Sequence, residues 1–112
     1  MEGHLREISY FERSKGKYPY REWLLNFRDQ KTVSRFDVRL RKVSMGNLGH
    51  HRSVGEGVIE LIEDFGPGYR IYAGQDGQTL VVILCGGDKR TQSKDIQRAK
   101  EYWEIYKSRK ET

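Results

Sequence analysis

With 112 residues, 36% of them hydrophobic and 33% charged, the chain makes one domain whose core can support a single sheet and a few packed helices. The longest apolar run, residues 80–85, is far too short to cross a bilayer. Glu2, His4, Arg6 and Glu7 interrupt any signal-peptide core, so a cytoplasmic protein with no membrane partner is expected. The formal net charge of +5 attracts polyanions, nucleic acid or an acidic protein alike.

In chain order, residues 6–11 suit a first strand, with Ile8, Tyr10 and Phe11 as β-formers. A loop over residues 12–19 follows, and Pro19 stands where a helix can begin. Tyr20, Trp23, Leu24 and Phe27 make one stripe of a short helix. Asp29 is placed to cap a second helix, whose Val33, Phe36, Leu40 and Val43 share one face while Arg35, Arg39 and Lys42 line another. Gly46 and Gly49 end it, and residues 48–57 look like a loop.

Alternation then sets Ile59, Leu61 and Phe65 against Val58, Glu60, Ile62 and Asp64. A tight turn over residues 65–69 leads into a strand in which Arg70 and Tyr72 oppose Ile71. A second hairpin turn is expected over residues 74–78 around Asp76-Gly77. Residues 79–85 are almost continuously apolar, as in a strand covered on both faces. Cys85 lies in this run and cannot form an internal disulfide, so it should be buried, reduced and inert. Gly86-Gly87 then invites a sharp turn. A last helix over residues 93–107 carries Ile96, Ala99, Trp103 and Tyr106 as its stripe, with Asp95 in the first turn and a tail that frays from about 108. The expected fold is α+β, a single domain over residues 1–112. Its order is β-α-α-β-β-β-α, a four-stranded, mainly antiparallel sheet with a helical hairpin on one face.

The chemistry predicted from these residues is electrostatic. His50 and His51 are adjacent and His4 is remote, with neither HExxH nor CxxC spacing, so neither metal nor cofactor is expected. The Gly86-Gly87 pair is followed by Asp-Lys-Arg, which does not match a phosphate-cradling nucleotide loop. The basic and polar groups Arg70, Lys89, Arg90 and Gln92 gather at strand ends, with Arg52 in the Gly/His segment before the meander. Arg70 in mid-sheet needs an open face or a partner, and Glu60 on the neighbouring strand is that partner. Lys89 and Arg90 either bind an anion beside the start of the last helix or form a solvated basic turn. RNA can be cleaved without metal when its 2′-hydroxyl attacks the adjacent phosphate, given a base, an acid and positive charge. Glu60, His50, His51 and Tyr72 are the candidates for proton transfer.

Val54-Gly-Glu-Gly-Val58, Glu60-Leu61, Gly66-Pro-Gly-Tyr-Arg-Ile-Tyr72, Cys85-Gly-Gly-Asp-Lys89, Thr91-Gln92, Asp95-Ile96 and Ala99-Lys100 together resemble the RelE/ParE superfamily of toxins, in its HigB-like branch of addiction module killer proteins. The resemblance runs from Val54 to Trp103 and, more weakly, through the helical hairpin. It implies the toxin of a type II toxin–antitoxin system, an mRNA endoribonuclease acting on the ribosome, or, as in the ParE branch, a gyrase poison. The family's basic set falls on Arg52, Arg70 and Lys89, with Arg90 and Gln92 beside them. The implied partners are mRNA, the ribosome and a cognate antitoxin carrying a helix-turn-helix module or an acidic, amphipathic segment, with DNA reached only through that antitoxin. Arg35, Arg39 and Lys42, or Trp103 and Tyr106, are where the antitoxin would bind. One departure stands out: the branch carries Glu-Leu-Arg where this chain has Glu60-Leu61-Ile62.

Overall fold

The computed structural model describes residues 5–111. His4, read above as remote from any ligand set, lies outside the described residues. The elements are β1 (Glu7–Tyr10), α1 (Pro19–Leu24), α2 (Gln30–Ser44), β2 (His51–Gly55), β3 (Val58–Glu63), β4 (Tyr69–Asp76), β5 (Leu80–Asp88), a 3-10 turn (Lys89–Thr91) and α3 (Gln92–Lys110). Pro19 opens α1, where its missing N–H costs nothing. Asp29 caps α2 by accepting the Lys31 backbone N–H at 2.9 Å.

The fold is α+β, but with a five-stranded mixed sheet rather than four strands. The strand order is β1-β5-β4-β3-β2. Strands β2 to β5 form an antiparallel meander, and β1 pairs parallel with β5, Glu7 opposite Leu80. The additional strand is β2, inside the segment expected to be all loop. It is a short edge strand, largely exposed, so its sequence carries no apolar alternation.

Helices cover both faces. Phe36, Leu40 and Val43 of α2 and Tyr20 of α1 pack on Leu61, Ile71, Val81 and Ile83. On the opposite face, Ala99 and Trp103 of α3 pack on Val58, Tyr72, Val82 and Leu84. Being covered on both sides is why β5 is apolar at successive positions. Cys85 is buried there, and burial pushes its thiol up to about 12. No helix among the described residues is long and apolar enough to cross a membrane.

Three glycines expected in turns lie inside strands. An added Cβ would sit 2.3 Å from the Trp103 ring at Gly74 and 2.3 Å from the Trp23 ring at Gly86. At Gly87 it would fall 1.8 Å from an Asp95 carboxylate oxygen. These residues are small so that rings and a carboxylate can lie directly on the backbone. The β4–β5 turn falls later, at Gly77–Thr79.

Two further expectations are corrected. Arg39 does not line an exposed helix face. It turns inward, 8% exposed, and donates to the carbonyls of Ile62 (2.7 Å), Leu48 (2.8 Å) and His50 (2.5 Å) and to the Glu63 carboxylate. The frayed tail from 108 is helix as far as Lys110. Arg109 holds the carbonyls of Glu12 (2.6 Å) and Arg13 (3.0 Å), and the Lys110 ammonium lies 2.6 Å from Asp76.

Candidate anion-binding site

Register brings most of the expected residues to one place. Arg52 on β2 stands opposite Glu60 on β3, which stands opposite Tyr72 on β4. One step along, Ile62 stands opposite Arg70, which stands opposite Gly87. Side chains alternate along strands, so Arg52, Glu60, Ile62, Arg70 and Tyr72 share the face that α3 packs on. Gln92, the first residue of α3, reaches the same spot.

Glu60 is the centre of this group and is completely buried, at 0% exposure. Its Oε1 accepts the Arg52 Nε–H at 2.7 Å. Its Oε2 accepts the Tyr72 hydroxyl at 2.9 Å and the Gln92 amide at 2.8 Å. The Arg70 Nε lies 3.9 Å from that same oxygen, close enough to pair electrostatically but without a hydrogen bond of its own. Burial by itself raises the Glu60 carboxyl, but the hydrogen bonds from Arg52, Gln92 and Tyr72 outweigh it and hold the group below its ordinary value. Burial and the bond to Glu60 push the Tyr72 hydroxyl the other way, well above its usual range.

Two cations lie against this buried anion, Arg52 and Arg70, and a third, Lys89, lies beyond Arg70 across Gly68. Arg70 is almost wholly buried, and its Nη1 donates to the Tyr69 carbonyl at 3.1 Å. The Arg52 side chain is about half exposed, 53%, with Nε turned inward to Glu60. Lys89 is exposed, and its backbone N–H donates to the Gly68 carbonyl at 2.9 Å. Gly68, at φ +84°, separates Lys89 from Arg70: a Cβ there would be 3.5 Å from Arg70 Nη1 and 3.6 Å from the Lys89 Cβ. Sequence reasoning did not single out Gly68, although the Gly-Pro-Gly run preceding Arg70 was its signal.

Other expected residues are placed differently. Arg90 is gripped by Asp88, its Nη2 at 3.0 Å from one carboxylate oxygen, while Asp88 also caps the 3-10 turn. His51 stands opposite Leu61, on the α2 side of the sheet, and its Nδ1 contacts the Gly49 carbonyl at 2.8 Å. His50 precedes it, outside β2, and pairs with Asp64 at 3.3 Å, both exposed. Trp103 is buried beneath α3, stacked on Tyr106 at 5.0 Å, whose hydroxyl bonds Asp76 at 2.9 Å. Arg35 and Lys42 remain on the outer side of α2, lining an open cleft with Ser34, Val38, Arg39 and Glu63. The Arg35 guanidinium lies 3.9 Å above the Phe65 ring.

No group of three or more His, Cys, Asp or Glu side chains among the described residues is arranged to hold a metal ion. The arrangement of Arg52, Arg70 and Lys89 suits a phosphate, which would meet exposed cations at the surface and a further one just beneath. Among known proteins, an uncharacterized protein of Haemophilus influenzae is 41% identical over 78 residues, covering 70% of this chain and 79% of that one. No family model matches the chain. No solved structure matches it.

Proposed function

The chain belongs to the same family as the Haemophilus influenzae protein. From its motifs and its basic face we propose that it is the toxin of a type II toxin–antitoxin system, with a RelE/ParE-like fold, acting as a metal-independent mRNA endoribonuclease on the ribosome. The observation that carries this reading is the pairing of Arg52 and Arg70 with a single buried carboxylate, with Lys89 next to Arg70 across Gly68. Supporting it are the motifs from Val54 to Trp103, most of which line this site or the strands beneath it.

In this reading an RNA phosphate rests against Arg52 and Lys89 and within the field of Arg70. The 2′-hydroxyl attacks that phosphate, the bond to the 5′-oxygen breaks, and a 2′,3′-cyclic phosphate and a 5′-hydroxyl result. The three cations stabilise the charge that builds on the phosphoryl oxygens. His50, exposed just before β2, accepts the 2′-hydroxyl proton, and a water molecule protonates the departing 5′-oxygen. The antitoxin covers the basic outer face of α2 at Arg35 and Lys42 with an acidic, amphipathic segment. Arg39 is mostly buried beneath that face but lines the same cleft.

The test is primer extension on mRNA from cells expressing wild type, Arg70→Ala or Lys89→Ala, with purified protein alongside. Each substitution is expected to lower cleavage by about 100-fold or more, the usual loss for one preorganised charge-stabilising group. Equal cleavage by all three proteins would remove the assigned roles, and no cleavage by wild type would remove the enzyme. A second reading, a gyrase inhibitor or a non-catalytic toxin, is favoured by Ile62. It stands opposite Arg70, at the position where the resembled branch carries another arginine. Inhibition of purified gyrase without any RNA cleavage would establish that reading instead.

A further inference from the structure

Glu60 has the chemistry of a general base but not the placement of one. A base needs a free lone pair within about 2.6–3.2 Å of the hydroxyl it deprotonates. Glu60 has no exposed surface, and both of its oxygens are already occupied. The donors come from three separate elements: Arg52 from β2, Tyr72 from β4 and Gln92 from the start of α3. A substrate hydroxyl would have to displace one of them and enter the sheet face to reach it.

The same geometry gives Arg52 a fixed pose. A guanidinium is a planar fork, so holding Nε fixes where both Nη groups lie. With Nε bonded inward to Glu60 at 2.7 Å, the Nη edge is left to the outside, and it makes no hydrogen bond with the described chain. Arg52 is on an exposed edge strand, where a long side chain would otherwise sample many rotamers. Arg70 is drawn to the second oxygen of the same carboxylate. One buried anion therefore organises two cations that belong to different strands.

We propose that Glu60 is the positioning residue of this site, a sealed carboxylate that sets the Arg52 fork, and Arg70 behind it, in the pose that meets the phosphate. This rests on the anion-binding reading of the face, and it assigns proton transfer to some other group. Its negative charge slightly weakens general attraction for polyanions but fixes the orientation on which transition-state stabilisation depends.

The experiment uses the full chain and three variants: Glu60→Gln, Arg52→Lys and the double. Arg52→Lys keeps the charge on an exposed side chain, so folding is preserved, but it loses the fork. Arg52→Lys is expected to cut single-turnover RNA cleavage by about 100-fold and Glu60→Gln by at least as much, since it also releases Arg70, and the double is expected to be no worse than Glu60→Gln, because both remove the same oriented fork. Multiplicative losses in the double would overturn the proposal. Where Glu60→Gln retains measurable cleavage, its acid limb in the pH–rate profile should match wild type, whereas loss of that limb would make Glu60 the base. The Arg52 Hε resonance provides a readout independent of catalysis. It should be slowly exchanging in wild type and broadened in Glu60→Gln, and an Hε that is already mobile in wild type also refutes the proposal. If wild type cleaves no RNA but the Hε is protected, the proposed function fails while the positioning survives. Binding of a 2′-O-methyl RNA oligonucleotide then measures it, with Glu60→Gln expected to steepen the salt dependence.

Discussion

Gly74→Ala tests how closely α3 is seated on the sheet. Gly74 lies in mid-strand without a positive φ, so alanine introduces no backbone strain there and the effect is steric alone. The added Cβ would be 2.3 Å from Trp103 Cε3 and 2.5 Å from its Cδ2 and Cζ3. Carbon atoms attract best at about 3.5–4.0 Å, so the ring would have to retreat by more than ~1 Å. It has nowhere near to go: Trp103 is 4% exposed and stacks on Tyr106 at an interplanar angle of 6°, with Tyr106 tied to Asp76. Overpacking at such a site costs about 3 kcal/mol, the upper part of the usual range. For a domain of this size that lowers Tm by about 12 °C. Thermal and urea unfolding, followed by circular dichroism, would measure it. Trp103→Ala should itself cost about 3–5 kcal/mol, yet on that background Gly74→Ala should cost under ~1 kcal/mol, because the cavity admits the methyl. A Tm shift of less than ~2 °C for Gly74→Ala, or full additivity with Trp103→Ala, would refute the packing argument.

Arg39→Met is expected to destabilise by about 3–5 kcal/mol, because it leaves Glu63 and three carbonyls without their shared donor. Amide exchange of residues 51–55 should quicken at the same time, and a loss below ~1 kcal/mol in urea unfolding would contradict the structural role. Glu60 also gives a pH prediction. Its folded value is depressed, so its stabilisation is complete above the unfolded value of about 4.3 and is lost as pH falls through the folded value. Wild type should therefore lose Tm on acidification below about pH 4, and Glu60→Gln should be less stable at neutral pH with a shallower acid dependence. Parallel acid profiles for the two proteins would rule this out.

Local pattern was legible where a residue's surroundings are set by its own element. The Asp29 cap, the buried stripe of Phe36, Leu40 and Val43, and the alternation that puts Glu60 and Arg70 on one face all follow from helical or strand periods. What escaped depends on neighbours distant in sequence. Strand β2 is an exposed edge whose pairing with β3 is fixed by that partner, not by apolar residues of its own. Gly74, Gly86 and Gly87 look like turn residues until the Trp103, Trp23 and Asp95 that lie on them are known. Arg39 has the helical spacing of a solvated arginine, and only the carbonyls of the following loop turn it inward. Most of the site's cations were legible as types, while the bond from Gln92 to Glu60 was not, since it crosses 32 positions of sequence.

The parallel pairing of β1 with β5 has a consequence for how the protein comes into being. Strand β1 has to wait for β5, the last strand among the described residues: Glu7 pairs with Leu80 and Tyr10 with Ile83, and the Phe11 N–H reaches the Ile83 carbonyl at 2.8 Å. Such distant pairing is slow to form and comes late. Lys89 and Gln92 are later still, so a nascent chain holding Arg52, Glu60 and Arg70 lacks both an outer cation and one of the groups that hold Glu60. The face therefore assembles only after residue 92 has been made. The sheet topology thus acts as a timer, withholding the finished Glu60 face until β5 and the start of α3 have been made.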